Sequence, residues 1–243
     1  MGKPKSSSLF HFTKSIESLC GILKNGFYPR YSFEDLRWLD PALGTVGRPI
    51  VCFCDIPLGR ISDHVAYYGS YGIGLTRRWG ISRGLNPLMY VSPISAFADD
   101  FHHIYHGLLG SKSKKSQDHF GAMVSLAVFV KRLTGKVIVN GKAMSKEFYQ
   151  ESEWRHSARD GVIDPFIFPG EGASKKRMAN DLAAKRCPLM FRPGDVRYIF
   201  VKTDSEIPTV LNFINNELDR FPSNDIKVLT TRITSLESLD PDL

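Results

Sequence analysis

The chain has 243 residues, a net charge of +7 and an isoelectric point near 9.2. Its 42% hydrophobic and 23% charged residues match a folded globular protein with a substantial core, which excludes a disordered or low-complexity chain. The longest apolar run, residues 122–130, is too short to cross a bilayer, and Cys20, Cys52, Cys54 and Cys187 have the spacing of neither a zinc ribbon nor a secreted disulfide scaffold.

The polar residues 1–8 carry no signal-peptide pattern, so a reduced, cytoplasmic chain without a membrane partner is expected. The myristoylation pattern from Met1 to Ser6 is too short to carry weight. Residues 9–13 predict a buried strand. Ser15 then caps a helix over Ile16, Leu19, Cys20, Ile22 and Leu23, which Gly26 closes. Residues 28–45 read as an aromatic-rich loop, a lid candidate. A strand at 50–54, with Cys52 and Cys54 as small apolar groups, precedes a helix at 60–68 and strands at 72–77 and 88–91. Two helices, 95–109 and 120–133, follow, with residues 122–130 as a buried helical run. Residues 137–139 and 147–155 predict a hairpin turning near Asn140-Gly141. A glycine-rich loop at 169–173 leads to a helix at 175–184. A strand at 196–202, a helix at 207–221 and a strand at 226–231 end the chain, as an added lobe or as the edge of the same sheet. Short strands and clustered helices predict an α+β fold. The expected organisation is a single domain over 1–243, with 160–243 as the candidate C-terminal lobe.

The positive charge favours a polyanionic partner if the basic clusters share a face. These are Arg77-Arg78, Lys112 with Lys114-Lys115, Lys175-Lys176-Arg177 and Lys185-Arg186. A well-hydrated surface accounts for them equally. On the 95–109 helix, Asp99, His102 and His106 share a face at metal-ligand spacing. Without a glutamate after the first histidine the zinc-protease pattern is missing, and the residues read as a polar helix face with no metal.

The segment Glu151-Ser152-Glu153-Trp154-Arg155 carries more chemistry. Read as a strand, it projects Glu151 and Glu153 to one side, which costs electrostatic energy unless a site uses both. The alternative is an exposed sheet face with two solvated glutamates. Three blocks extend the signal: Leu9-Phe10-His11-Phe12-Thr13; Gly47-Arg48-Pro49 running through Val51-Cys52-Phe53-Cys54-Asp55-Ile56-Pro57-Leu58 to Asn86-Pro87-Leu88-Met89-Tyr90-Val91; and the Glu-x-Glu segment itself. Together they resemble the AbiGi family of bacterial abortive phage resistance proteins, described as the antitoxin partner of AbiGii. The likeness covers most of the first 160 residues, and the Cys-Phe-Cys-Asp-Ile-Pro-Leu block is its most specific part.

The His-Phe-Thr strand, the helix ending Leu-Lys-Asn-Gly and the Asn-Pro-Leu-Met-Tyr run are also similar to DarT-type ADP-ribosyltransferases. That resemblance implies an ADP-ribosyltransferase-like mixed sheet with helices clustered around it, and NAD as substrate. It puts Glu153, or Glu151, in the place of the catalytic glutamate and Arg48 in that of the arginine. A carboxylate at Glu153 would stabilise the sugar cation left when nicotinamide departs, and Glu151 would orient the acceptor or raise its neighbour's pKa. His11 would bind the ribose, with Phe12 and Thr13 beside it, and Tyr67 and Tyr71 would stack on nicotinamide; Arg48 would pair with the pyrophosphate. The plain alternatives are a hydrogen-bonded core histidine, a solvated arginine and core aromatics around the glycine-rich turn. Gly69, Gly72 and Gly74 do not make a dinucleotide-binding fingerprint.

Two functions follow from these likenesses. One is a transferase moving ADP-ribose from NAD to a nucleic acid or protein. The other is a non-enzymatic antitoxin that neutralises an AbiGii-like toxin by binding. A metal-dependent nuclease on the histidine helix is a third.

Overall fold

The computed structural model describes residues 6–92, 94–109, 113–139 and 142–240. The start of the myristoylation pattern, Lys112 and the Asn140-Gly141 turn lie outside them. In chain order the elements begin with β1 (Ser8–Thr13), α1 (Ile16–Asn25), β2 (Arg30–Asp35), β3 (Thr45–Cys54), α2 (Ile61–Tyr68), β4 (Tyr71–Thr76), α3 (Arg77–Ser82), β5 (Asn86–Pro87) and β6 (Met89–Val91). They continue with α4 (Ala96–Leu108), α5 (Lys114–Leu126), β7 (Val130–Arg132), β8 (Thr134–Val139), β9 (Lys142–Glu147) and β10 (Glu153–Ser157). The chain ends with α6 (Gly172–Arg186), β11 (Val196–Val201), α7 (Ile207–Glu217), α8 (Ser223–Thr230), β12 (Ile233–Ser235) and α9 (Leu236–Leu239). The fold is α+β, with mostly antiparallel strand pairing and surrounding helices. The chain forms two compact units. The first comprises Met1–Tyr28, Cys52–Asn86 and Pro188–Leu243, and the second Pro29–Val51 and Pro87–Cys187.

In the first unit β4 is central, paired antiparallel with β1 on one side and with β11 on the other, while β12 adds in parallel to β11. The last residues of β3 join β1 through Phe10 opposite Cys54. Strand alternation sends Phe10 and Phe12 to one face, where they pack with Cys54, Ile56, Ile61 and Phe200. His11 points to the other face, among Phe27 and Phe53, and Trp79 and Phe191 extend that aromatic group. On the Phe10 face Gly74 is required, because a Cβ would fall 2.8 Å from the Phe10 ring and 3.0 Å from Tyr198. The Ser15 hydroxyl accepts the Ser18 amide to cap α1, and Gly26 ends it at φ 74°, a left-handed conformation that glycine adopts without penalty.

In the second unit β2 pairs antiparallel with the first part of β3, and β10 lies on the other side of β3. β6 and β7 pair in parallel, and β8 and β9 form a hairpin. Leu36, Leu39, Val46, Phe101, Val124 and Val130 belong to one core, and Tyr31, Ala158, Ile163, Ile167 and Ala183 to another.

Several expectations are corrected. Residues 28–45 are not all loop: Tyr31 and Phe33 share one face of β2, whose partner β3 begins at Thr45 and not at residue 50. The second helix stops at Leu126; Ala127–Phe129 is a 3-10 turn and Val130 opens β7, so the apolar run is helical to Leu126 and reaches a strand only at its last residue. The β-branched segment 226–231 is not a strand. Ile226 and Leu229, three apart, are both buried on one face of α8, and that burial outweighs local strand preference. The closing strand is β12 instead.

Candidate functional site: a buried ionic network on β10

The Glu-x-Glu segment does not form one strand. Phe148–Glu151 is a 3-10 turn, and Ser152, at φ 43° in the left-handed region, separates it from β10. The two-residue alternation that was to align the glutamates is therefore broken between them. They meet by another route. Lys131 Nζ on β7 donates to Glu151 Oε2 and to Glu153 Oε2, each at 2.8 Å. Lys146 Nζ on β9 reaches Glu151 Oε1 at 2.6 Å, and Arg155 Nε donates to Glu153 Oε1 at 2.6 Å.

Arg155 completes the network. Its terminal nitrogens hold both carboxylate oxygens of Glu34 on β2, at 2.7 and 2.5 Å, and Nη1 also donates to the Val128 carbonyl at 2.6 Å. At 1% exposure Arg155 is among the largest fully buried side chains, and Glu151 and Glu153 are buried at 4% and 7%. Such charges are tolerated in a core only when each is paired and hydrogen-bonded. Burial alone would lower the pKa of Lys131, but Glu153 and Glu151 outweigh it and raise the pKa above the ordinary lysine value. Tyr90 also serves the network, its hydroxyl accepting the Glu153 amide at 2.8 Å. Desolvation is the main reason its phenol is pushed up to about 12.

Arg48 lies on β3 and is buried, not in a polar loop. Its guanidinium donates to the carbonyls of Val124 at 3.4 Å and Ser125 at 3.3 Å, near the C-terminus of α5, where the helix dipole favours a cation. Its Nε has no hydrogen-bond partner among the described residues. Desolvation, with Arg159 nearby, lowers its pKa to about 10 against the pull of Glu34 and Tyr31.

The other sequence candidates belong to the first unit. His11 Nδ1 is 2.8 Å from the Cys52 carbonyl, and its ring packs edge-on to Phe27. Burial lowers its pKa, partly opposed by that hydrogen bond, so the ring is neutral and donates from Nδ1. Phe12 is a core residue stacked on Phe200, and Thr13 sits across the β1–β4 ladder from Tyr71. The Tyr71 hydroxyl donates to Glu206 at 2.6 Å, which is the leading cause of a phenol pKa near 12. Tyr67 is on α2, separated from Tyr71 by Gly69 at φ 114°. The first unit also has an open concavity of about 540 Å³, lined by Arg77, Arg78 and Arg197 together with Asp195. Arg77 there is paired with Asp55 at 2.5 Å.

Sequence reasoning singled out Glu151 and Glu153, which the network contains, and Arg48, which bonds instead to the Val124 and Ser125 carbonyls; it missed Glu34, Lys131 and Lys146 and gave Arg155 no role. A signal was present for Arg155, which lies one strand period after Glu153.

On the histidine helix α4, Asp99 is not the partner of His102 and His106. Asp40 is, from the segment after β2. Burial pushes the Asp40 carboxyl up, but the Ala42 amide and the two imidazoles outweigh burial and hold it below the usual range.

Among the described residues no helix is long and apolar enough to cross a membrane. The cysteines are free thiols, with Cys54 buried and Cys52 half-buried on β3.

No solved structure matches the chain. It is similar to the abortive phage resistance protein AbiGi of Lactococcus lactis subsp. cremoris, with 27% identity over 249 residues, covering 89% of this chain and 99% of that protein. The family model described as "Putative abortive phage resistance protein AbiGi, antitoxin" matches residues 25–202. That span includes β10 and every member of its ionic network, and it takes in most of the chain, which therefore belongs to the AbiGi family of abortive phage resistance proteins.

Proposed function

We propose that this chain is the antitoxin of an abortive-infection pair and acts by binding a toxin of the AbiGii kind, without glycosyl transfer of its own. The observation that carries the reading is the engagement of Glu153 by Arg155 on one carboxylate oxygen and Lys131 on the other. A carboxylate that stabilises an oxocarbenium-like sugar must present its charge to the substrate. Here buried Arg155 and half-buried Lys131 absorb that charge, and Glu151 is held in the same way by Lys131 and Lys146. The pair serves as scaffold for the second unit. The family description agrees with a binding role. The net charge of +7 and the arginine-lined concavity favour an acidic surface on the partner, and nucleic acid is the other polyanion such a surface attracts.

The transferase reading rests on the order of His11, Arg48 and Glu153 along the chain. One experiment separates the two. Purified wild type and Glu153→Ala are assayed for nicotinamide release from NAD with DNA, RNA and cell lysate as acceptors, alongside binding to the co-expressed toxin. Toxin binding with no nicotinamide release supports the antitoxin. Release by wild type that disappears in a folded Glu153→Ala variant overturns it and establishes the transferase.

A further inference from the structure

Asp40, His102 and His106 come together within the second unit. Asp40 Oδ2 lies 2.5 Å from His102 Nδ1 and 2.9 Å from His106 Nε2. One potential ligand atom from each residue falls within 4.8 Å of the other two. We propose that these residues form a binding site for a divalent transition-metal cation of the zinc class.

The local structure prepares each ligand. His102 and His106 are one turn apart on α4, with ring centroids 4.2 Å apart, so both imidazoles leave the same helix face. Asp40 is 1% exposed and is fixed before the cation arrives, because its Oδ1 accepts the Ala42 amide at 2.8 Å and caps the 3-10 turn Pro41–Leu43. Its other oxygen is left to the two imidazoles. A single carboxylate oxygen approached by two ring nitrogens is a compact concentration of donor atoms, and a cation replacing the shared protons would use the same three groups.

Ligand chemistry selects the metal. Two imidazoles and one carboxylate suit Zn²⁺, Co²⁺ or Ni²⁺ and are poor ligands for Mg²⁺ or Ca²⁺, which prefer all-oxygen sites. The imidazole side chains are 53% and 46% exposed, so water can take the remaining positions. Three protein ligands with a solvent-accessible fourth position differ from the closed four-ligand arrangement of a structural zinc site. The cation would tie α4 to the segment between β2 and β3.

The test uses the full-length chain stripped with chelator and then titrated with Co²⁺, followed by Zn²⁺ competition and measurement of bound zinc per chain. The expected result is one Zn²⁺ per chain, with visible Co²⁺ bands that Zn²⁺ displaces. His102→Ala and His106→Ala, on an exposed helix face, should fold normally and each weaken Zn²⁺ binding at least about tenfold. Asp40→Asn should do the same while keeping the acceptor for Ala42. His103→Ala, also on α4, should bind as wild type. Zinc binding that is absent, or that persists unchanged in both His102→Ala and His106→Ala, would overturn the proposal and leave a hydrogen-bonded triad only.

Discussion

Lys131 donates to Glu153 at 2.8 Å and, from the same ammonium, to Glu151 at the same distance. One lysine thus lets two buried acids occupy adjacent positions without repelling each other. The arrangement explains why the Glu-x-Glu segment survives inside the fold and why its charge is not displayed.

Removing that ammonium should be costly. Lys131→Met is expected to destabilise the chain by about 3 kcal/mol, because it leaves two carboxylates buried with less compensation. Urea unfolding at neutral pH measures this. Glu151→Gln added to Lys131→Met should recover part of the loss, since one of the uncompensated charges is gone. A Lys131→Met variant as stable as wild type would mean that the pairing does not hold the segment.

The lowered pKa of His11 makes a pH prediction. The unfolded chain takes up a proton near the ordinary histidine pKa of 6.5, while the folded chain resists it because the charged ring would be buried. Stability contributed by His11 is therefore complete above that pKa and declines as pH falls through it toward the lower folded value. Unfolding free energies measured between about pH 7.5 and pH 5 should fall for wild type and fall less for His11→Gln. Parallel curves would contradict a half-buried His11 whose pKa is lowered in the folded chain.

Gly69 joins α2 to β4 at φ 114°, and a Cβ there would lie 2.2 Å from the Thr13 carbonyl oxygen. Backbone cannot yield as a side chain can. Gly69→Ala is expected to lower stability by more than about 2 kcal/mol, whereas Gly59→Ala, with nothing within 4 Å of the added methyl, should cost little. Thermal unfolding of the two variants side by side checks the contrast.

Tyr71 anchors β4 to Glu206 at 2.6 Å. Tyr71→Phe keeps the ring and loses that bond, so a loss of about 1–2 kcal/mol is expected by denaturant unfolding. Were Tyr71 instead stacking on nicotinamide, Tyr71→Phe would leave stability nearly unchanged.

Local signals in the sequence were enough for several elements. Ser15 and Gly26 bracket α1 because a hydroxyl cap and a left-handed glycine act within one helical turn. The β-branched and aromatic residues of Val196–Val201 give β11, and the Cys-Phe-Cys-Asp-Ile-Pro-Leu block pointed to the family. The sequence was misleading where burial competes with propensity, as in α8, and where strand alternation was assumed through Ser152.

By itself, then, the sequence determined the α+β class and the AbiGi kinship, and it drew attention to the Glu151–Arg155 segment. Only the tertiary structure decided what that segment does. Glu34, Lys131 and Lys146 come from β2, β7 and β9, and no local pattern couples them to β10. Asp40 likewise meets His102 and His106 only through the packed second unit. Charge pairing at 2.5–2.9 Å depends on distance in space, which chain order does not specify.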